Sequence, residues 1–373
     1  MSVSTTVWWL VNECEPRTNA GKRQHEPRVQ VQRTSRDVAL REAAHKLCTG
    51  ELVAFPTETV YGLGANALDP DALNKVFAAK RRPLDNPLIA HIAAMSQLEM
   101  LVSEVSTLAR RIMAAFWPGP LSILLPARPD LPRELTAGLP QVAVRMPAHD
   151  LALGLIQTTG YPLAAPSANL SGRPSPTSAT HVLDDLAGSI AGVLDGGDCS
   201  VGIESTVIEA RSDRILILRP GAIDERALAQ FGVPVEFDPH LRGDGAQVAP
   251  RAPGQKYRHY APQGSLQVVF TSRDDAFWRY AADQLRVIHA RGGKVAVLAT
   301  EREIAADLVM PLGVTPTEAA TRLYRVLREC DDANVDLIVA RGVAPSTGLA
   351  DPATTALLNR LYKASGGQFI SLD

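Results

Sequence analysis

Apolar positions first recur at helical spacing from Asp37 to Leu47 and stop at Gly50, which predicts a helix. The run Leu52-Val53-Ala54-Phe55 predicts a short buried strand. Asp69 to Lys80 reads as a helix, with Asp69 as N-cap and Pro70 in the first helical position. A strand over 88–92 follows, then a helix over 105–116 halted by Trp117-Pro118-Gly119-Pro120. Strands are predicted over 121–125, 142–146 and 163–165, with a helix over 150–159 between the last two. Further strands cover 192–194, 205–209 and 214–218, and a helix covers 223–231. Strands and helices do not alternate strictly, so the pattern predicts an α/β fold on a twisted mixed sheet.

The periodicity lapses over 233–264, where prolines and glycines accumulate, and this stretch reads as a linker. Beyond it the order becomes regular. Strands over 266–270, 294–298 and 335–340 alternate with helices over 275–290, 317–330 and 351–364. That order predicts a small C-terminal Rossmann-like parallel βα domain. Residues 1–35 are polar and irregular and are expected to form a flexible N-terminal extension. The expected organisation is thus an extension over 1–35, a first domain over 36–232, a linker over 233–264 and a second domain over 265–373.

Composition adjusts this picture only slightly. A length of 373 residues suits two domains, and 46% apolar with 21% charged residues is ordinary for a globular chain. A net charge of −2 gives no global pull toward nucleic acid or membrane. No apolar run approaches the ~20 residues of a membrane helix. Cys14, Cys48, Cys199 and Cys330 show neither metal-ligand nor redox spacing, so a reducing, cytoplasmic location is expected.

The chemistry sits where strands end. The sequence has no Gly-x4-Gly-Lys-Ser/Thr phosphate loop, no His-Glu-x-x-His helix and no Gly-x-Ser-x-Gly elbow. Gly62-Leu63-Gly64 only half-matches a dinucleotide fingerprint and lacks the parallel βαβ context. Polar clusters do leave buried strands at Pro56-Thr57-Glu58-Thr59-Val60-Tyr61, at Ser167-Ala168-Asn169 and at Glu204-Ser205-Thr206. Lys80-Arg81-Arg82-Pro83 ends a helix just before Asn86-Pro87-Leu88, where cations on a stiff turn suit a polyphosphate. Arg145 ends an apolar strand, a place where Arg needs an anionic partner. Lys256-Tyr257-Arg258-His259-Tyr260 interleaves charge and rings within the linker. Each cluster alone also fits a turn, a helix cap or a structural salt bridge; together they point to one anion-rich pocket.

Pro56 to Gly64, Lys80-x-Arg82-Pro83, Asn86-Pro87-Leu88, Val144-Arg145, Pro166-Ser167-Ala168-Asn169, Ser205-Thr206-Val207 and Arg219-Pro220-Gly221 closely resemble the YrdC-like threonylcarbamoyl-AMP synthases. The linker and the second βα unit resemble the long, two-domain form of that family. The resemblance implies a YrdC-like catalytic domain and an ATP-dependent reaction of L-threonine and bicarbonate. Its product, threonylcarbamoyl-AMP, would pass to a tRNA threonylcarbamoyl transferase complex for threonylcarbamoyladenosine formation, with pyrophosphate released. It also implies roles. Lys80, Arg82, Ser167 and Asn169 would act on ATP phosphates or carbamate, and Asn86, Ser175, Arg219 and Tyr257 would hold nucleotide. Thr59, His91, Arg145, Ala165 and Ser205 would line the threonine pocket. Mg²⁺ would enter with ATP, held mostly by substrate oxygens and water. Two rivals share such a domain: an RNA-binding module, with weak tRNA binding as its mild form, and a carbamoyltransferase of the hydrogenase-maturation type. The charge of −2 disfavours the first, and the lack of zinc-finger and acylphosphatase-like modules disfavours the second.

Overall fold

A computed structural model describes residues 5–11, 29–242, 259–299, 306–342 and 353–373. Among the described residues, twelve strands form the first sheet: β1 (Thr6–Leu10), β2 (Val29–Arg33), β3 (Val53–Phe55), β4 (Gly62–Asn66), β5 (Ile89–His91), β6 (Leu121–Pro126), β7 (Gln141–Arg145), β8 (Leu163–Ala164), β9 (Gly192–Asp195), β10 (Thr206–Ala210), β11 (Ile215–Arg219) and β12 (Val235–Phe237). The accompanying helices are α1 (Arg36–Cys48), α2 (Pro70–Lys80), α3 (Thr107–Phe116), α4 (Arg133–Thr136), α5 (Asp150–Thr159), α6 (Ala179–Leu186) and α7 (Glu225–Ala229). The strand order is β12-β11-β10-β6-β7-β5-β8-β4-β3-β9-β1-β2. Pairs such as β5/β7 and β6/β10 are parallel, whereas β3/β4, β4/β8 and β6/β7 are antiparallel, so the sheet is mixed.

The second sheet is built from β13 (Ser265–Phe270), β14 (Val295–Leu298), β15 (Leu308–Met310), β16 (Leu337–Arg341) and β17 (Phe369–Ser371), in the order β15-β14-β16-β13-β17. All its pairings are parallel, as the βα alternation requires. Its helices are α8 (Asp274–His289), α9 (Pro316–Asp332) and α10 (Ala353–Ser365). Among the described residues no helix is long and apolar enough to cross a membrane.

The described segments within residues 1–35 depart from expectation. β1 and β2 extend the sheet in parallel, with β1 seated against β9. Strand alternation sends Trp8 and Trp9 to opposite faces, and each joins a different apolar cluster. Trp9 lies flat enough on Gly192 that a Cβ there would stand 2.2 Å from its ring. At ~25 cal/mol per Å², burying a tryptophan stabilises by about 4–6 kcal/mol at most. Two of them offset the cost of ordering five residues at about 1–2 kcal/mol each. Periodicity alone missed this, because a five-residue strand with both faces buried shows no alternation.

The two units pack directly. Val60 and Ile203 of the first enter the apolar cluster of the second. Gly202, at φ +77°, meets α9 so closely that a Cβ would lie 2.4 Å from the Thr321 Cα. Arg328 of α9 pairs with Asp185 at 2.8 Å, both buried, and its Nη2 donates to the Pro174 carbonyl at 2.6 Å.

Candidate active site

Two loops face each other at one end of the first sheet. The chain leaving β3 makes a hydroxyl-centred turn, in which Thr57 Oγ1 accepts from the amides of Thr59 and Val60 at 3.1 and 3.2 Å. The chain leaving β8 runs alongside it: Leu63 N donates to Pro166 O at 2.7 Å and Ala168 N to Tyr61 O at 2.8 Å. Gly62 bridges Ser167 across the gap, and the Ala165 amide donates to Ile89 O at 3.0 Å. The loops carrying Thr59, Ala165, Ser167 and Asn169 are therefore latched to one another by backbone hydrogen bonds.

An arginine pocket lies on one side. β5 and β7 pair in a register that sets His91 beside Arg145. Arg145 Nη1 donates to Thr59 Oγ1 at 2.9 Å, Nε donates to Gly119 O at 3.1 Å, and Nη2 lies 2.7 Å from Glu58 Oε2. That last contact meets the distance of an ion pair but not the angle of a hydrogen bond, so charge rather than direction holds it. Burial, and then the charge of Arg145, push His91 down to about 3, which keeps the imidazole neutral at physiological pH. Ser205 shares a 2.8 Å hydroxyl contact with Ser122, and Arg219 grips the Ser205 carbonyl through Nε and Nη2 at 3.1 and 2.9 Å. Arg219, assigned to the nucleotide by resemblance, thus touches the residue assigned to threonine.

The cationic turn lies on the other side. Asp69 caps α2 by accepting from the amides of Asp71 and Ala72, and the buried stripe Ala72, Leu73, Val76, Phe77 carries on to Lys80. Lys80 is 1% exposed; its ammonium donates to the carbonyls of Ser167 and Asn169. Burial, followed by the charge of Arg82, lowers its pKa well below the usual lysine value. Ser167 Oγ donates to Asn169 Oδ1 at 2.6 Å, and Asn169 Nδ2 donates to the carbonyls of Leu170 and Arg173 at 2.9 Å each. Arg82 Nη2 reaches the carbonyls of Asn86 and Pro87 at 3.3 and 3.1 Å. Arg81 takes the left-handed cap at φ 52° and faces solvent.

A third group ties Ser175 and Glu204 to Arg360 and Tyr324, a link the sequence reading did not make. Ser175 Oγ donates to Glu204 Oε1 at 2.5 Å, and Glu204 also accepts from Arg360 and Tyr324 of the second unit. One cue was present in the sequence: Arg360 falls on the apolar stripe Ala353, Ala356, Leu357, Leu361, Ala364 of α10, where a charge needs a partner. Tyr257 lies outside the described residues; the neighbouring His259 ring stands 5.6 Å from that of Tyr260.

The donor set limits the chemistry. Among the described residues no group of three His, Cys, Asp or Glu could hold a metal ion. The buried carboxylates Glu58 and Glu204 are each paired with an arginine. Cys199 is buried and burial raises its thiol pKa, which makes it a poor nucleophile. What the geometry offers is positioning and fixed positive charge.

Comparison with known proteins places the chain in a family. Residues 45–221 match a family model described as "Telomere recombination", and residues 223–366 match one described as "Threonylcarbamoyl-AMP synthase, C-terminal domain". The chain is 45% identical over 333 residues to the threonylcarbamoyl-AMP synthase of Pyrococcus abyssi, covering 89% of this chain and 96% of that one. It is 44% identical over 344 residues to the synthase of Bacillus subtilis, covering 90% and 96%. A crystal structure of Pyrococcus abyssi Sua5 complexed with L-threonine superposes with a TM-score of 0.84 at 43% identity, covering 92% of this chain and 98% of that one. The chain belongs to the threonylcarbamoyl-AMP synthase family in its long two-domain form, and is an enzyme of the nucleotidyltransferase type.

Proposed function

We propose that this enzyme joins L-threonine, bicarbonate and ATP into threonylcarbamoyl-AMP and pyrophosphate. The observation that carries this reading is the latching of two loops, which sets a carboxylate-binding arginine pocket beside a lysine-clamped cationic turn. The threonine carboxylate would displace Glu58 from Arg145, with Thr59 and Ser205 flanking it. A neutral His91 adds no charge to the pocket. The amine nitrogen attacks bicarbonate carbon, water leaves, and a carbamate forms. A carbamate oxygen then attacks the α-phosphorus of ATP, and the bond to the bridging oxygen breaks to release pyrophosphate. Lys80, Arg82, Ser167 and Asn169 would stabilise charge on phosphate oxygens, and Asn86, Ser175, Arg219 and Tyr257 would hold the nucleotide. Mg²⁺ would arrive as part of MgATP, neutralising phosphate charge.

The product is a mixed anhydride suited to donating its threonylcarbamoyl group. We assign its use to the threonylcarbamoyl transferase complex that modifies tRNA adenosine in the cytoplasm; any direct binding of tRNA by this chain would be weak. The deciding assay is pyrophosphate release by purified protein with each substrate omitted in turn. Release that requires threonine, bicarbonate and ATP together supports the reading. Release from ATP alone, or none at all, contradicts it.

A further inference from the structure

The second unit reaches the candidate site at one buried carboxylate. Glu204 Oε2 accepts from Arg360 Nε at 2.7 Å and from the Tyr324 hydroxyl at 2.9 Å, while Oε1 accepts from Ser175. Arg360 is fully buried; its Nη2 also stands 3.4 Å from the Glu204 carbonyl. Tyr260 stacks on Tyr324 at 5.2 Å and lies under the Arg360 guanidinium at 5.5 Å. Ser205, the next residue in the chain, is gripped by Arg219.

We propose that Arg360 and Tyr324 are positioning residues of the active site, fixing Glu204 and, through it, the Ser175 hydroxyl and the Ser205–Arg219 contact. The proposal rests on the assignment of Ser175 and Ser205 to substrates. The physical case is that a buried carboxylate must be matched by charge and hydrogen bonds. Burial opposes the ionisation of Glu204, yet Arg360 and Arg219 outweigh it and hold the group at about 2. Burial and the nearby Glu204 raise the Tyr324 phenol, so it stays a donor across the working pH range. If Arg360 is removed, Arg219 and Lys363 are the cations among the described residues still near Glu204. Arg219 would then be drawn off the Ser205 carbonyl, and Ser175 would lose a fixed acceptor. The second unit therefore sets the shape of the site.

A purely structural role makes a different prediction, and full-length variants separate the two. The measurements are melting temperature, kcat, and KM for ATP and for threonine in pyrophosphate release. Tyr324→Phe removes one hydroxyl and should fold; its KM for ATP should rise about 10-fold, the scale of a lost hydrogen bond to a charged group. Its KM for threonine should rise by a smaller factor than that for ATP, since Ser205 is loosened only indirectly and Arg145 is untouched. Arg360→Met strands a buried charge and will be less stable. The double variant Glu204→Gln/Arg360→Met removes that charge, so its melting temperature should recover while its KM for ATP stays raised. Recovery of stability and KM together in the double variant would overturn the proposal, as would an unchanged KM for ATP in Tyr324→Phe. A wild-type protein that releases no pyrophosphate with threonine would instead overturn the functional assignment, and the proposal with it, before any variant is made.

Discussion

Arg145 Nη2 lies 2.7 Å from Glu58 Oε2, and both side chains are more than nine-tenths buried. The arginine is further tied to Thr59 and to the Gly119 carbonyl. A guanidinium so enclosed keeps its place while its anionic partner changes. Exchanging the Glu58 carboxylate for a substrate carboxylate would spare the desolvation of Arg145, already met in the folded protein, provided that Glu58 finds another partner or water.

Arg145→Ala should therefore act on threonine specifically. Loss of a buried arginine–carboxylate contact is worth about 3 kcal/mol, or roughly 100-fold or more in KM for threonine. KM for ATP should change much less. Arg145→Lys should rescue poorly, because an ammonium cannot reproduce the fork that reaches Thr59, Gly119 and Glu58 together. Steady-state kinetics with each substrate varied would check both points; a KM for threonine near wild type in Arg145→Ala would remove this residue from the pocket.

Lys80 and Arg82 make a second, separable prediction. The Lys80 ammonium holds the Ser167 and Asn169 carbonyls and is close enough to Arg82 for that charge to lower its pKa. Lys80→Met keeps an unbranched apolar stem at this buried position but removes the charge. Synthesis should fall by about 2–4 kcal/mol of transition-state stabilisation, some 30- to 1,000-fold. Arg82→Ala should fall by a similar factor, with the circular dichroism spectrum unchanged in both. Near-normal turnover in both variants would dissociate the cationic turn from catalysis.

The legibility of the sequence had a clear physical boundary. Lys80 was found because Asp69-Pro70 marks a helix start and the apolar stripe counts forward to its last turn. Arg145 was found because it breaks an apolar strand. The second unit was readable as a parallel sheet because its long helices and buried strands alternate. β1 was lost because its evidence lies in Gly192 and Glu42, far along the chain: the first makes room for Trp9, and the second accepts its indole proton at 2.8 Å. β17 and β15 have three residues each, too few to show a period. Glu204 was seen only as part of a polar cluster, since its partners Arg360 and Tyr324 are over a hundred positions away. Contacts of that range are written in tertiary packing, and local pattern shows only one end of them.

The buried histidine sets an acid limit. His91 sits at about 3 in the fold against an ordinary 6.5. Below pH 6.5 the unfolded chain takes up a proton that the folded chain refuses, so stability is full above 6.5 and is lost as pH falls toward 3. The slope is ~1.4 kcal/mol per pH unit for one such site. Burial pushes His181 and His259 to about 3 as well, so the slope approaches ~4 kcal/mol per pH unit when all three contribute. Glu204 adds a second loss only below 4.5, as pH falls toward its folded value of about 2. Urea midpoints measured from pH 7.5 to 5 should fall steadily, and His91→Gln should flatten the curve. A midpoint independent of pH over that range would show that these imidazoles titrate in the fold as they do in the unfolded chain.

The far edge of the sheet offers a test of how β1 is held. Trp9→Ala removes a side chain that is 1% exposed and should cost about 3–5 kcal/mol. Gly192→Ala should also destabilise, since its new methyl would lie 2.2 Å from the Trp9 ring and 2.9 Å from the Val7 carbonyl. The two effects should not add. Once the indole is gone the methyl has room on the ring side, and it partly fills the space left behind. The double variant should then be more stable than the sum of the singles by ~1–3 kcal/mol. Kinetic constants should hold wherever the variants are folded, because β9, β3, β4 and β8 separate β1 from the β5/β7 pair that carries His91 and Arg145. Strict additivity would mean that Trp9 is seated by contacts other than Gly192, and a large shift in KM for threonine would mean that the edge strands reach the pocket through the sheet.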